Sequence, residues 1–96
     1  MNALELVHVG FENLVALNRV VAIVNPDSAP LKRLVREARG KGLVIDMTSG
    51  RKTKAVLVLD SGQLALAAIN PETIAGRLEA QRLAKLEKVE VEEDRG

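Results

Sequence analysis

The sequence has no cysteine, tryptophan or tyrosine, and it carries a single phenylalanine, Phe11, and a single histidine, His8. Each shortage removes a class of function. Without cysteine there is no disulfide framework, no thiol nucleophile and no thiolate metal site. With one histidine and no local pair of carboxylates, a general acid–base couple lacks its second member, so His8 reads as a strand or interface residue and no catalytic residue is assigned. No cluster of histidine, cysteine and carboxylate has the spacing of a metal centre, and nothing calls for a cofactor. Proteins that hold single strands stack bases on aromatic rings, which argues against RNA as the main ligand. No apolar run approaches the roughly 20 residues of a membrane span. No basic segment followed by an apolar stretch opens the chain, so a cytoplasmic protein is expected.

What remains is aliphatic and charged. The chain has 96 residues, 47% of them hydrophobic, and a net charge of +1. That length suits one small domain, which buries only roughly 60–65% of its unfolded surface and gains from self-association. The charge is unevenly spread. Between Arg19 and Lys54 stand nine cations against three anions, Asp27, Glu37 and Asp46. Residues 87–96 reverse the balance with Glu87, Glu90, Glu92, Glu93 and Asp94. A basic centre with an acidic end is an asymmetry found in nucleic-acid binders.

Alternation predicts a first strand over Leu4–Val9, ended by Gly10, and a short irregular segment over 11–18. Val20–Val24 is β-branched and reads as a second strand, stopped by Asn25-Pro26. Ser28 as N-cap and Pro30 in the first turn open a helix whose apolar face is Leu31, Leu34, Val35 and Ala38, ended by Gly40 and Gly42. Lys32, Arg36 and Arg39 fall on its other face, with Arg33 to one side. Strands follow at 43–47, 55–59 and 64–69, the last two joined tightly at Ser61-Gly62. Asn70-Pro71-Glu72 starts a second helix, expected to fade after Leu86. The reading is an α+β single domain over 1–86, about five strands and two helices in the order β-β-α-β-β-β-α, with an acidic tail over 87–96, disordered from Glu90.

The segment Gly50-Arg51-Lys52-Thr53-Lys54 stands out. It lies between two apolar strands, in what reads as a hairpin loop, and three long cations in four residues cannot be buried unpaired. A nucleotide P-loop requires glycine directly before its lysine, where this chain has Arg51, so that motif fails. Asp46, which ends a strand, is assigned to structure. The anion that best suits Arg51, Lys52 and Lys54 is a phosphate backbone, which arginine grips bidentately and lysine as a point charge. The sheet is expected to bring Arg19 and the basic helix face, including Lys32 and Arg33, to the same surface.

Several segments also resemble a known family: Val9-Gly10-Phe11 with Asn13, Asn18-Arg19, Ser28-Ala29-Pro30-Leu31-Lys32-Arg33, Ala38-Arg39, Ile45-Asp46, Gly50 to Val56, and Pro71-Glu72-Thr73. Together, from about Leu4 to Leu78, they are similar to the bacterial extracellular-matrix regulator RemA and its relatives. The resemblance implies a LytTR-like fold, a ring-like homo-oligomer, and a DNA-binding regulator of biofilm-matrix and osmoprotection genes. It also implies that Arg19 and Arg51 contact DNA. The family often has arginine where this chain has Lys52 and Lys54, and an aromatic residue where it has Ser49. The resulting expectation is a homo-oligomeric regulator on double-stranded DNA, with Arg19, Arg51, Lys52 and Lys54 on phosphates and Lys32 and Arg33 as lesser contacts or, alternatively, subunit-interface residues. It has no membrane partner and no small-molecule substrate. The alternatives are an adaptor oligomer for acidic protein partners and an RNA-binding protein.

Overall fold

The aliphatic runs Ala55–Leu59 and Leu64–Ala67 offer no polar face to water, and they form the centre of a sheet covered on both sides. The computed structural model describes residues 4–95, with side chains as far as Glu87. Its elements are β1 (Leu6–His8), β2 (Leu14–Ala16), β3 (Val20–Val24), α1 (Ala29–Gly40), β4 (Val44–Asp46), β5 (Ala55–Leu59), β6 (Leu64–Ala67) and α2 (Pro71–Arg95). A single 3-10 turn, Leu17–Arg19, leads from β2 into β3. The α+β class and the alternation of strands and helices agree with the sequence reading.

There are six strands among the described residues, one more than expected. The extra strand is β2, within the segment read as irregular. Three residues are too few to show a period, and its place comes from pairing, with Val7 opposite Val15 across an antiparallel hairpin with β1. The other four strands form one sheet in the order β3-β5-β6-β4. The β3–β5 and β5–β6 pairings are antiparallel, whereas β4 lies parallel to β6, with Val44 opposite Leu64. The segment 48–54 is therefore not the hairpin loop the sequence suggested. It carries the chain from β4 to β5 over the end of β6, which lies between them. Ser61-Gly62 does join β5 and β6 tightly, with the Gly62 amide donating to the Leu59 carbonyl at 3.0 Å.

Two cores follow from the period of two. Ala55, Leu57, Ala65 and Ala67 face β1 and α2 and pack with Val7, Val9, Leu17, Met47 and Ile74. Val56, Leu64 and Leu66 face the other way, onto Ala38 and Val35 of α1. Leu57, Leu66, Ile74, Val9 and Val56 are fully buried, each stabilising the fold by about 1.5–3 kcal/mol. Helix α1 starts where Ser28 predicts, its Oγ accepting from the Leu31 amide at 3.3 Å. Its apolar face is only partly used, since Leu34 stays 43% exposed.

Helix α2 starts after Asn70, whose carbonyl accepts from the amides of Thr73 and Ile74. It is fastened to β1 by Arg77, which donates to the His8 carbonyl at 2.9 Å, and by Arg82, which forks onto Glu5 at 2.7 and 3.0 Å. It continues to Arg95, well past the expected end near Leu86. Its later residues are mostly Glu, Lys, Leu, Ala and Arg, all good helix formers. In the expected acidic tail, Gly96 and the side chains beyond Glu87 lie outside the described part.

Candidate functional site

The cationic segment is held from below. Asp46 closes β4 and its Oδ1 accepts from the Thr48 hydroxyl at 2.6 Å and the Thr48 amide at 2.9 Å. These two bonds, the hydroxyl first, hold the Asp46 carboxyl below its ordinary range, and Arg39 of α1 adds to them from 3.8 Å. Asp46 is thus structural, as expected. Thr48 is 3% exposed and its carbonyl accepts from the Arg51 amide at 2.9 Å. Between them Ser49 and Gly50 both take positive φ, 51° and 78°, the pattern of a tight primed turn. Two further bonds fix the mouth of the loop on neighbouring residues of β6: the Met47 amide donates to Leu66 and the Lys54 amide to Ala67, at 2.9 and 2.8 Å. Arg51, Lys52 and Lys54 therefore project, exposed, from a backbone tied at both ends. Among the described residues none of the three enters an ion pair within 4.0 Å.

A second turn abuts the first. Gly10, Phe11 and Glu12 between β1 and β2 all have positive φ. That conformation is unfavourable for a bulky residue such as Phe11. Asn13 holds it, its amide nitrogen donating to the Gly10 carbonyl at 3.0 Å and reaching across to the Met47 carbonyl at 3.4 Å. Phe11 is thereby displayed, 46% exposed, with the Arg51 guanidinium 5.5 Å from its ring centroid. Sequence reasoning noted Phe11 as the lone aromatic and within the family-like Val9-Gly10-Phe11 segment, without assigning it to the site. The signal for its role was the Gly-Phe-Glu-Asn turn itself, four residues with a glycine first and an asparagine to lock them.

The other sequence-assigned cations do not all converge. Arg19 pairs with Asp60, Nε to Oδ2 at 2.7 Å, beside the β5–β6 turn. This bond raises the Arg19 pKa and engages its fork. Lys54 and Asp60 stand at opposite ends of β5, six residues or about 20 Å apart. Within one chain Arg19 and the loop thus occupy opposite ends of the sheet, contrary to the expected single surface. The physical reason is the antiparallel pairing of β3 with β5, which sets Val20 against Leu59 rather than against Ala55. Lys32 does meet the loop, across a cleft that it lines with Lys52 and Arg39. Arg33 is exposed on α1 and does not line that cleft.

No group of acids and histidines among the described residues could hold a metal, and no helix there is long and apolar enough to cross a membrane. The fold and the loop define a small α+β domain that holds tethered cations exposed at one end of its sheet. The RemA-like family model, described as extracellular matrix regulatory protein A-like, matches residues 6–78, and the chain belongs to this family. A provisionally named regulatory protein of Dehalococcoides mccartyi is 61% identical over 79 residues, covering 82% of each chain. One of Symbiobacterium thermophilum is 50% identical over 95 residues, 97% of this chain and all of its own. One of Clostridium perfringens is 48% identical over 92 residues, 96% of this chain and 98% of its own. Family and names agree on a regulatory role.

Proposed function

We propose that the protein is a non-enzymatic transcriptional regulator that binds double-stranded DNA as a homo-oligomer, with biofilm-matrix genes as the target class that the family resemblance implies. The observation that carries this reading is the loop: Arg51, Lys52 and Lys54 stand free of ion pairs among the described residues, on a backbone anchored to the sheet. Such groups gain most from phosphates, because each contact releases condensed counterions. Arg51 takes the bidentate role and the lysines supply point charges.

Self-association supplies what one chain lacks. The sheet is open, with β3 and β4 as edges, and both leave apolar side chains in water: Val21 is 67% and Ile45 40% exposed. Joining copies through such edges satisfies their unpaired backbone groups. It also lets Arg19 of one copy lie along the same duplex as the loop of another, and repeated weak contacts add through effective concentration. Two salt concentrations in a duplex-binding titration test the proposal, alongside sedimentation of the free protein. Affinity should fall steeply with salt and the protein should sediment as an oligomer. A salt-insensitive or absent interaction removes the assignment.

A further inference from the structure

The cleft between α1 and the cationic segment has a composition that phosphate-backbone binding does not use. It encloses about 340 Å³, within the range of small-molecule sites. Lys32, Arg39 and Lys52 line it, with Asp27 as its one acidic lining residue. Pro26 and Val35, both half-buried, give it an apolar wall, with the almost completely buried Val56 and Leu66 as its floor. A smaller hollow of about 170 Å³ shares Asp27, Lys52 and Thr53 with it and adds Lys54. A duplex carries its phosphates outermost, so it could touch the cations at the lip without reaching the apolar wall.

We infer that this cleft binds a free phosphorylated small molecule with a compact, partly apolar body, of the nucleoside diphosphate class. The phosphates sit between Lys32 and Lys52, which line the cleft from the helix and from the loop, with Thr53 as a further donor. Arg39 is only loosely engaged by Asp46, at 3.8 Å, and can turn to the same anion. The body lies on Pro26 and Val35, above the buried floor of Val56 and Leu66. Asp27 repels phosphate but accepts from hydroxyls, which places the sugar of the ligand on its side. The consequence for regulation rests on the proposed function. Lys52 belongs to both surfaces, so ligand and duplex compete for it, and a metabolite can release the regulator from DNA.

Calorimetric titration of the full chain with ADP tests the inference, with adenosine and inorganic pyrophosphate as partial probes and Lys32→Glu and Lys85→Glu as variants. ADP should saturate one site per chain with a Kd below about 1 mM. Each partial probe should bind at least about tenfold more weakly, since each lacks one half of the contacts. Lys32→Glu should weaken ADP by at least about tenfold, and Lys85→Glu, on α2, should leave it unchanged. The inference is overturned if ADP does not saturate at about 5 mM. It is equally overturned if pyrophosphate matches ADP, or if Lys32→Glu reduces duplex binding alone. A chain that binds ADP in this pattern but no duplex upholds the cleft and removes the proposed function.

Discussion

The Arg51 guanidinium lies 5.5 Å from the centre of the Phe11 ring, and the two residues come from turns that pack side by side through Asn13 and the Met47 carbonyl. A positive-φ residue at the tip of one turn thus sets its ring beside the exposed guanidinium of the other. Strain of this kind is retained where the surroundings over-determine it, and it often accompanies a working surface.

Replacing Phe11 with Leu keeps an apolar side chain and removes the π face. A cation–π contact at an exposed site is worth about 0.5–1 kcal/mol, so duplex affinity should fall about two- to fivefold. The melting temperature should hardly move. Fluorescence anisotropy beside a thermal melt separates these; equal affinity for both proteins sinks the role of the ring.

Arg51→Ala should lower the salt dependence of duplex binding by about one phosphate contact per chain, without preference for sequence. The loss repeats in every copy of an oligomer, so affinity should fall by at least about tenfold. Circular dichroism and sedimentation should match the parent, because the guanidinium makes no ion pair within the described residues.

Asp60→Asn frees Arg19 from its ion pair. If Arg19 meets phosphate in the assembly, duplex affinity should rise in the variant, most clearly at low salt, where exposed charges are least screened. Weaker binding would mean that Asp60 orients Arg19 towards the duplex instead of competing for it.

Asp46→Ala should cost about 1 kcal/mol near neutral pH, a figure kept low because the side chain is 46% exposed. The folded-state pKa of Asp46 is depressed, so its contribution is present above the ordinary carboxylate range and is lost as pH falls through the depressed value. Urea unfolding should show the two proteins differing at pH 7 and converging below about pH 4. A gap that widens in acid contradicts the Thr48 and Arg39 assignment.

Leu57→Ala removes a fully buried side chain from the middle of β5 and should destabilise by about 2–5 kcal/mol. Against a total of about 5–15 kcal/mol, much of the margin goes. Chemical denaturation measures this directly.

Local signals were readable from the sequence where they act locally. Ser28 and Pro30 placed the start of α1, Pro71 the start of α2, and the aliphatic runs β3, β5 and β6. Pairing was not readable. Nothing in Leu43 to Met47 tells whether β4 joins β5 or β6, because an apolar strand suits either neighbour, and the connection over β6 follows from the finished sheet. The cations of the loop were evident as a cluster, since their charge keeps them out of any core. The distance of Arg19 from that loop depends on strand register, which composition does not encode. Phe11 escaped notice as a site residue because its display requires a backbone conformation that sequence patterns assign to glycine.

The two amide bonds from Met47 and Lys54 to adjacent residues of β6 bear on the order of folding. The sheet partner of β4 is β6, which comes later in the chain, so the cationic loop cannot be tied at both ends before β6 is made. During synthesis its cations remain on a slack chain until Leu66 and Ala67 have emerged. An incompletely made copy therefore lacks the finished grip, and only a completed sheet displays it.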